Sequence, residues 1–353
     1  MPPVRVMMVD DSATIRQVVG RMLCQDPDIE VIGTAANGQE ALDRLPELHP
    51  DVVVLDVEMP VLDGLGALRR MMQSQPVPVV MLSVHTRTGS EAALEALSLG
   101  AIDFVSKPEE GSRLTTVVDE LAEKVKMAAT VSLERIDARV GSKPGAGTTS
   151  RVTRAGFSST GSRRELVVIG CSTGGPAALQ AIVPGLPADL PAGIVIVQHI
   201  PAGFTSSLAE HLGKRSAITV KHAVDGDLVH PSRVLIAPAG ADLLFRGRPG
   251  RLTINLIPRE KRSRPGIFHP SVDGVMTSAA RVCGPRVLGV LLTGMGKDGA
   301  LGMKEIKKHQ GRTIAEAEET CIVFGMPKAA IEVGAVDKVV RLQDIAREII
   351  NEL

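Results

Sequence analysis

Tryptophan and tyrosine are absent from this 353-residue chain, and six phenylalanines supply its whole aromatic content of 2%. No stretch interleaves stacking rings with Lys or Arg, and Lys+Arg and Asp+Glu balance at 40 each, so nucleic acid is not an expected partner. Long hydrophobic runs are lacking as well. No segment approaches the ~18–20 apolar residues needed to cross a bilayer, so direct membrane insertion is not expected. The first residues show no basic start followed by an apolar stretch and a cleavage site, so export is not expected either. Cysteine is scarce and scattered. Cys24, Cys171, Cys283 and Cys321 form no CxxC or Cys/His metal pattern, and they read as reduced thiols of a cytoplasmic protein.

What is present is an ordinary hydrophobic content of 44%, built from Val, Ile, Leu, Ala and Met. The length favours two domains over a single core. Short apolar runs alternate with amphipathic stretches over residues 1–127, as βα units do. Strands are expected at 4–9, 30–35, 52–55, 79–82 and 102–104, with helices such as 13–24 and 91–99 between them. Right-handed crossovers would make these a five-stranded parallel sheet covered on both faces. The last helix of this half is expected over 116–136. Residues 128–164 carry Gly141-Ser142-Lys143-Pro144-Gly145-Ala146-Gly147 and read as a flexible linker. The βα rhythm resumes over 165–353, with strands expected at 166–169, 194–198, 233–237, 287–292, 312–315 and 336–340. A β-hairpin between 242 and 255 interrupts it. The fold class is α/β: two doubly wound parallel-sheet domains, the second larger and carrying a hairpin insertion.

In the first half, Asp10 and Asp11 end the first strand and Asp56 the third. Strand ends of a doubly wound sheet open onto one edge beside the reversal of strand order. One strand-end Asp more often caps a helix. Three acids together repel one another and suit a hard dication such as Mg2+, while Ser83 and Lys107 end the fourth and fifth strands. Together with Asp56-Val57-Glu58-Met59-Pro60 and Ser106-Lys107-Pro108, these residues make the half resemble the receiver domain of bacterial response regulators, with its flavodoxin-like (βα)5 fold. The resemblance implies that Asp56 accepts a phosphoryl group from a sensor histidine kinase. It implies that Asp10, Asp11, Asp56 and the backbone carbonyl of Glu58 hold Mg2+, and that Ser83, Phe104 and Lys107 form the switch around the phosphoryl group. A cis Lys107–Pro108 bond is also implied.

In the second half, Gly170-Cys171-Ser172-Thr173-Gly174-Gly175 follows the apolar run 166–169. Such a turn can lift a hydroxyl clear of a sheet with backbone N–H groups around it. His199 follows the run 194–198, and Asp298 lies in the glycine-rich loop after 287–292. These are the elements of a nucleophile, a base and an orienting carboxylate. Each has a plainer reading. The turn could cradle a phosphate, His199 could bond the backbone, and Asp298 could cap the helix that follows it. Cys171, next to Ser172 on a strand, should point the opposite way. Amides near Thr173 or Met295 are candidates for an oxyanion hole.

These stretches, with Val197-Gln198-His199-Ile200-Pro201, His269-Pro270-Ser271-Val272-Asp273 and Val323-Phe324-Gly325-Met326-Pro327, resemble the chemotaxis-type protein-glutamate methylesterases. That resemblance implies Ser172 as nucleophile, His199 as general acid/base and Asp298 as orienting carboxylate, with no cofactor in this half. The implied reaction is hydrolysis of glutamate γ-methyl esters on the cytoplasmic helical bundle of methylated chemoreceptors, with deamidation of glutamine open to the same machinery. A tethered receiver can cover Ser172 until Asp56 is phosphorylated, and a monomer is expected. His269, Asp242 and Glu316 depart from the family's usual residues (Arg, His and Gln). The competing expectation is a receiver-linked binding protein whose output domain is catalytically silent.

Overall fold

The computed structural model describes residues 2–84, 86–107, 114–132, 164–258 and 269–353. The chain divides into two compact units, Met1–Gly141 and Ser142–Leu353. Pro108 and residues 133–163, most of the expected linker, lie outside the described residues.

In the first unit, strands β1 (Val4–Val9), β2 (Ile29–Ala35), β3 (Val52–Asp56), β4 (Val79–Ser83) and β5 (Asp103–Ser106) pair in parallel in the order β2-β1-β3-β4-β5. The central β3 and β4 are buried along their whole length, which is why they read as unbroken apolar runs. Helices α1 (Ala13–Leu23), α2 (Gly38–Leu48), α3 (Gly64–Ser74), α4 (Arg87–Ser98) and α5 (Leu114–Ala128) alternate with the strands. Each of the first four starts on a polar cap: Ser12, Asn37, Asp63 and Thr86 accept from the N–H groups of Ile15, Glu40, Gly66 and Gly89. The cap at Thr86 starts α4 four residues ahead of the apolar period at Glu91 that marked it in the sequence. Helix α5 ends at Ala128 instead of running to 136. Thr130 and Val131 turn back onto the carbonyls of Met127 and Ala128, tightening the last turn.

In the second unit, strands β6 (Leu166–Cys171), β7 (Gly193–Gln198), β8 (Thr219–His222), β10 (Arg233–Ile236), β13 (Val287–Leu291), β14 (Arg312–Glu316) and β15 (Lys338–Val340) make a parallel sheet, ordered β15-β14-β13-β6-β7-β10-β8. The hairpin expected between 242 and 255 is present and longer: β11 (Ala241–Arg248) and β12 (Arg251–Pro258) join β9 (Leu228–Val229) in a separate antiparallel sheet. The helices are α6 (Gly175–Ile182), α7 (Phe204–Gly213), α8 (Val272–Cys283), α9 (Ala300–Lys308), α10 (Met326–Glu332) and α11 (Leu342–Glu352). Val272, Val275, Met276 and Ala279 of α8 pack in one core with Leu166, Val168 and the hairpin residues Leu243 and Phe245. Aliphatic and thioether groups, with Phe245, therefore fill this core without Trp or Tyr. The sequence pattern missed β8, β9 and α10. The first is a four-residue edge strand with half-polar alternation, the second has two residues, and α10 is only seven residues opening with Pro327 near its start.

Candidate functional site

Strands β6, β7 and β13 lie side by side in the centre of the second sheet, so their carboxyl ends form one continuous edge. Cys171 is the register partner of Gln198, and the His199 N–H donates to the Cys171 carbonyl at 3.0 Å. Ser172 and His199 therefore leave adjacent strands at the same level, about 4.8 Å apart in the hydrogen-bonding direction. From the other side, the Ser172 N–H donates to the Thr293 carbonyl at 3.1 Å, which locks the turn to the end of β13. Gly294 lies against this serine so closely that a Cβ there would stand 2.8 Å from Ser172 Cβ. Ser172 itself is half-buried and reachable from solvent.

His199 Nε2 lies 2.9 Å from Asp298 Oδ2, and the imidazole is 4% exposed. With the carboxylate on Nε2, the lone pair available to take up a proton is that of Nδ1. Asp298 is held in turn. Its oxygens accept from Val272 N (2.8 Å), Asp273 N (2.9 Å) and Ser271 Oγ (3.0 Å). Burial works to raise its pKa, but the bonds from His199 and these amides prevail and hold the carboxyl below its ordinary value. The sequence left open that Asp298 caps the helix after it. It caps α8 instead, the helix 26 residues earlier in the chain. Asp273, in the first turn of α8, returns the arrangement by accepting from Gly299 and Gly302 at the start of α9 (2.9 and 2.7 Å). The two helix N-termini are thus capped reciprocally, and the Asp298 carboxylate that meets His199 is one of the caps.

Three further polar residues support the turn, and none was assigned a role from sequence. Gln198 Nε2 donates to the Ser172 and His199 carbonyls, both at 2.9 Å. Thr293 Oγ1 donates to the Thr173 carbonyl at 3.0 Å and accepts from Val323 N. Glu316, fully buried, accepts from the Thr293 N–H at 2.8 Å. The signal that could have found them is a polar residue closing a fully buried run, as in Ile194-Val195-Ile196-Val197-Gln198. Of the oxyanion candidates, Thr173 is buried and Met295 is exposed, and they flank the contact of Ser172 with Gly294. His269 Nδ1 and Asp242 Oδ1 lie 2.7 Å apart. Cys171 is fully buried, and burial, with the nearby Glu316, pushes its thiol far above the ordinary range.

The first sheet presents a different cluster. Ligand oxygens of Asp10, Asp11 and Asp56 all lie within 4.8 Å of one another, with Asp10 and Asp56 buried and Asp11 exposed. Lys107 Nζ bridges the two buried acids, 2.8 Å from Asp10 Oδ2 and 2.7 Å from Asp56 Oδ2. Burial pushes Asp56 up to about 6, aided by Asp10 and opposed by Lys107. Three carboxylates face one ammonium, and oxygen-only donors at this spacing fit a hard dication. The exposed Glu58 follows on the loop after β3. Ser83 is buried with Oγ donating to Gly89 O at 2.9 Å, and its carbonyl accepts from Lys107 N. Phe104 is buried, with Lys124 Nζ 5.7 Å from its ring centroid and donating to its carbonyl at 2.7 Å.

Comparison with known proteins matches residues 167–349 to the CheB methylesterase family and residues 6–119 to the response regulator receiver domain. A protein-glutamate methylesterase/protein-glutamine glutaminase of Symbiobacterium thermophilum is 47% identical over 98% of this chain and 95% of its own length. One from Archaeoglobus fulgidus is 44% identical over 99% of this chain and 98% of its own. Among solved structures, the CheB methylesterase catalytic domain of Thermotoga maritima superposes with a TM-score of 0.52 at 43% identity, covering 54% of this chain and all of that one.

Proposed function

Because the chain belongs to the CheB methylesterase family and carries a response-regulator receiver domain ahead of the esterase domain, we propose that it hydrolyses glutamate γ-methyl esters on chemoreceptors under the control of phosphorylation at Asp56. Ser172 Oγ attacks the ester carbonyl as His199 Nδ1 takes its proton. The Asp298 carboxylate on Nε2 stabilises the imidazolium that forms. Collapse of the tetrahedral intermediate expels the methoxy group, which takes the proton from His199 and leaves as methanol. Water, deprotonated by the same imidazole, attacks the acyl-serine, and the free glutamate departs as Ser172 regains its proton. Amides near Thr173 or Met295 hold the oxyanion. A glutamine side chain passes through the same steps with ammonia as leaving group, in keeping with the double name borne by the relatives.

At the receiver, the phosphoryl group comes from a sensor histidine kinase to Asp56. Asp10, Asp11, Asp56 and the Glu58 carbonyl are the residues that would hold Mg2+, whose charge offsets that of the incoming phosphoryl group. Lys107 contacts that group, and Ser83 and Phe104 respond to it. The substrate is the cytoplasmic helical bundle of a methylated receptor, met by a monomer in the cytoplasm; no described helix is long and apolar enough to cross a membrane. The observation that carries the catalytic reading is the 2.9 Å His199–Asp298 pair beside the strand end that presents Ser172. Methanol release from methylated receptor, with and without a small phosphodonor, tests it. Release that Ser172→Ala abolishes and the phosphodonor increases is expected; release unaffected by Ser172→Ala would overturn the reading.

A further inference from the structure

Cys171 and Gln198 stand opposite each other at the last paired positions of β6 and β7, and both are buried. The amide of Gln198 touches three groups: the carbonyl oxygens of Ser172 and His199, each 2.9 Å from Nε2, and Cys171 Sγ, 3.0 Å from Oε1. Carbonyl oxygens only accept, so the NH2 end of the amide must face the two backbones. Oε1 then faces the thiol, and as it too only accepts, the thiol must donate. Burial keeps that thiol protonated and its donor in place. The approach also depends on Gly175, where a Cβ would lie 2.1 Å from Gln198 Oε1.

We propose that Cys171 and Gln198 form a positioning clamp that fixes the separation of the nucleophile and base backbones, the thiol setting the orientation of the amide that spans them. The proposal rests on Ser172 and His199 being that nucleophile and base. The bond from His199 N to Cys171 O is the last between these strands before the chains diverge. Beyond it, one side-chain amide takes the place of the missing ladder. The clamp touches no substrate; it acts through the main chain of the two residues that do. It also gives Cys171 a role that requires it to be unreactive, beside a serine that must react.

The test measures kcat and KM for methanol release by the full-length chain, with the folded fraction of each variant taken from calorimetry. Gln198→Met removes the clamp, and misplacing a reacting group by about 1 Å can cost on the order of a hundredfold. A fall in kcat of about tenfold to a hundredfold, with KM within about twofold, is therefore expected. Gln198→Glu, which sets an oxygen against both carbonyls, should lose at least as much. Cys171→Ala should lower kcat by a few-fold and Cys171→Ser, which restores a donor, should recover most of that loss. If Gln198→Met fails to fold, the Cys171 pair decides the matter. A folded Gln198→Met with unaltered kcat, or Cys171→Ser as impaired as Cys171→Ala, overturns the clamp alone. A wild-type chain that releases no methanol overturns the catalytic reading and the clamp with it.

Discussion

The carboxyl edges of the two sheets bring polar side chains together on opposite electrostatic plans. At the receiver edge, three carboxylates share one ammonium, and the buried acids converge on Lys107 from two sides. Negative charge there exceeds positive charge, so the cluster favours incoming cations and is sensitive to any change of charge at Asp56. At the esterase edge the polar groups are few and are held by hydrogen bonds from backbone and side chains. Asp298 has three donors besides His199, the Ser172 turn is pinned through Thr293 and Gln198, and the glycines allow the close approach. The contrast teaches that a switch keeps its charges poorly compensated, so that a ligand can tip it, whereas a catalyst spends its hydrogen bonds beforehand to hold a fixed geometry.

Substitutions can break this contrast, beginning where the effect is greatest. Ser172→Ala should lower methanol release by about 10⁶-fold, and Asp298→Asn by about 10⁴-fold, since an amide on Nε2 no longer selects the reactive tautomer. Neither should alter phosphoryl uptake at Asp56, which labelling with a radioactive phosphodonor would show. Conversely, Asp56→Asn should remove all stimulation by a phosphodonor while leaving the basal turnover of the esterase domain in place, measured by the same methanol assay. A fall in basal turnover would mean that the two edges are not separable.

A smaller effect concerns Asp298, which caps a helix and is the carboxylate of the proposed triad. Ser271→Ala removes the hydroxyl that donates to Asp298 and caps α8 through Gly274 N. It should lower the stability of the esterase domain by about 1 kcal/mol. Calorimetry is the suitable method, because the chain has no Trp or Tyr to report by fluorescence.

The smallest effect sharpens the comparison by its sign. Folded Asp56 keeps its proton up to about 6 against an ordinary 3.8. Between those values the folded receiver binds more protons than the unfolded chain, so its stability falls as pH rises through the window. His222 in β8 is shifted the other way: burial holds the imidazole below its ordinary 6.5. Its contribution is complete above 6.5 and is lost as pH falls through the lowered value. Metal-free samples of the two halves taken from about pH 7 to about pH 5 should therefore change in opposite directions, the receiver gaining stability and the esterase domain losing it. Asp56→Asn and His222→Gln should each flatten one curve, and parallel curves in the unaltered halves would refute the assignment.

Much of this architecture is legible in the sequence because buried parallel strands announce themselves locally. Val52–Leu55, Leu166–Ile169 and Ile194–Val197 are apolar on every residue, and the polar residue that follows each run (Asp56, Ser172 after Gly170 and Cys171, and Gln198) marks the edge where chemistry gathers. The short edge strand Thr219–His222 escaped notice because one of its sides is unpaired and its alternation looks like a loop. Gln198, Thr293 and Asp273 escaped because their partners are distant in the chain, 26 residues away for the bond from Gln198 to Ser172 and 120 for that from Thr293 to Thr173.

Local order alone was enough to establish two α/β units, the acids at one strand edge, and a serine raised on a glycine turn, since period and turn chemistry depend on neighbouring residues. Folding in three dimensions decided that Asp298 meets Nε2 of His199, that it caps a helix lying before it in the chain, and that one glutamine spans the carbonyls of Ser172 and His199. Those choices follow from the order β13-β6-β7. Strand order places distant loops side by side, and no window of sequence contains the groups that meet there.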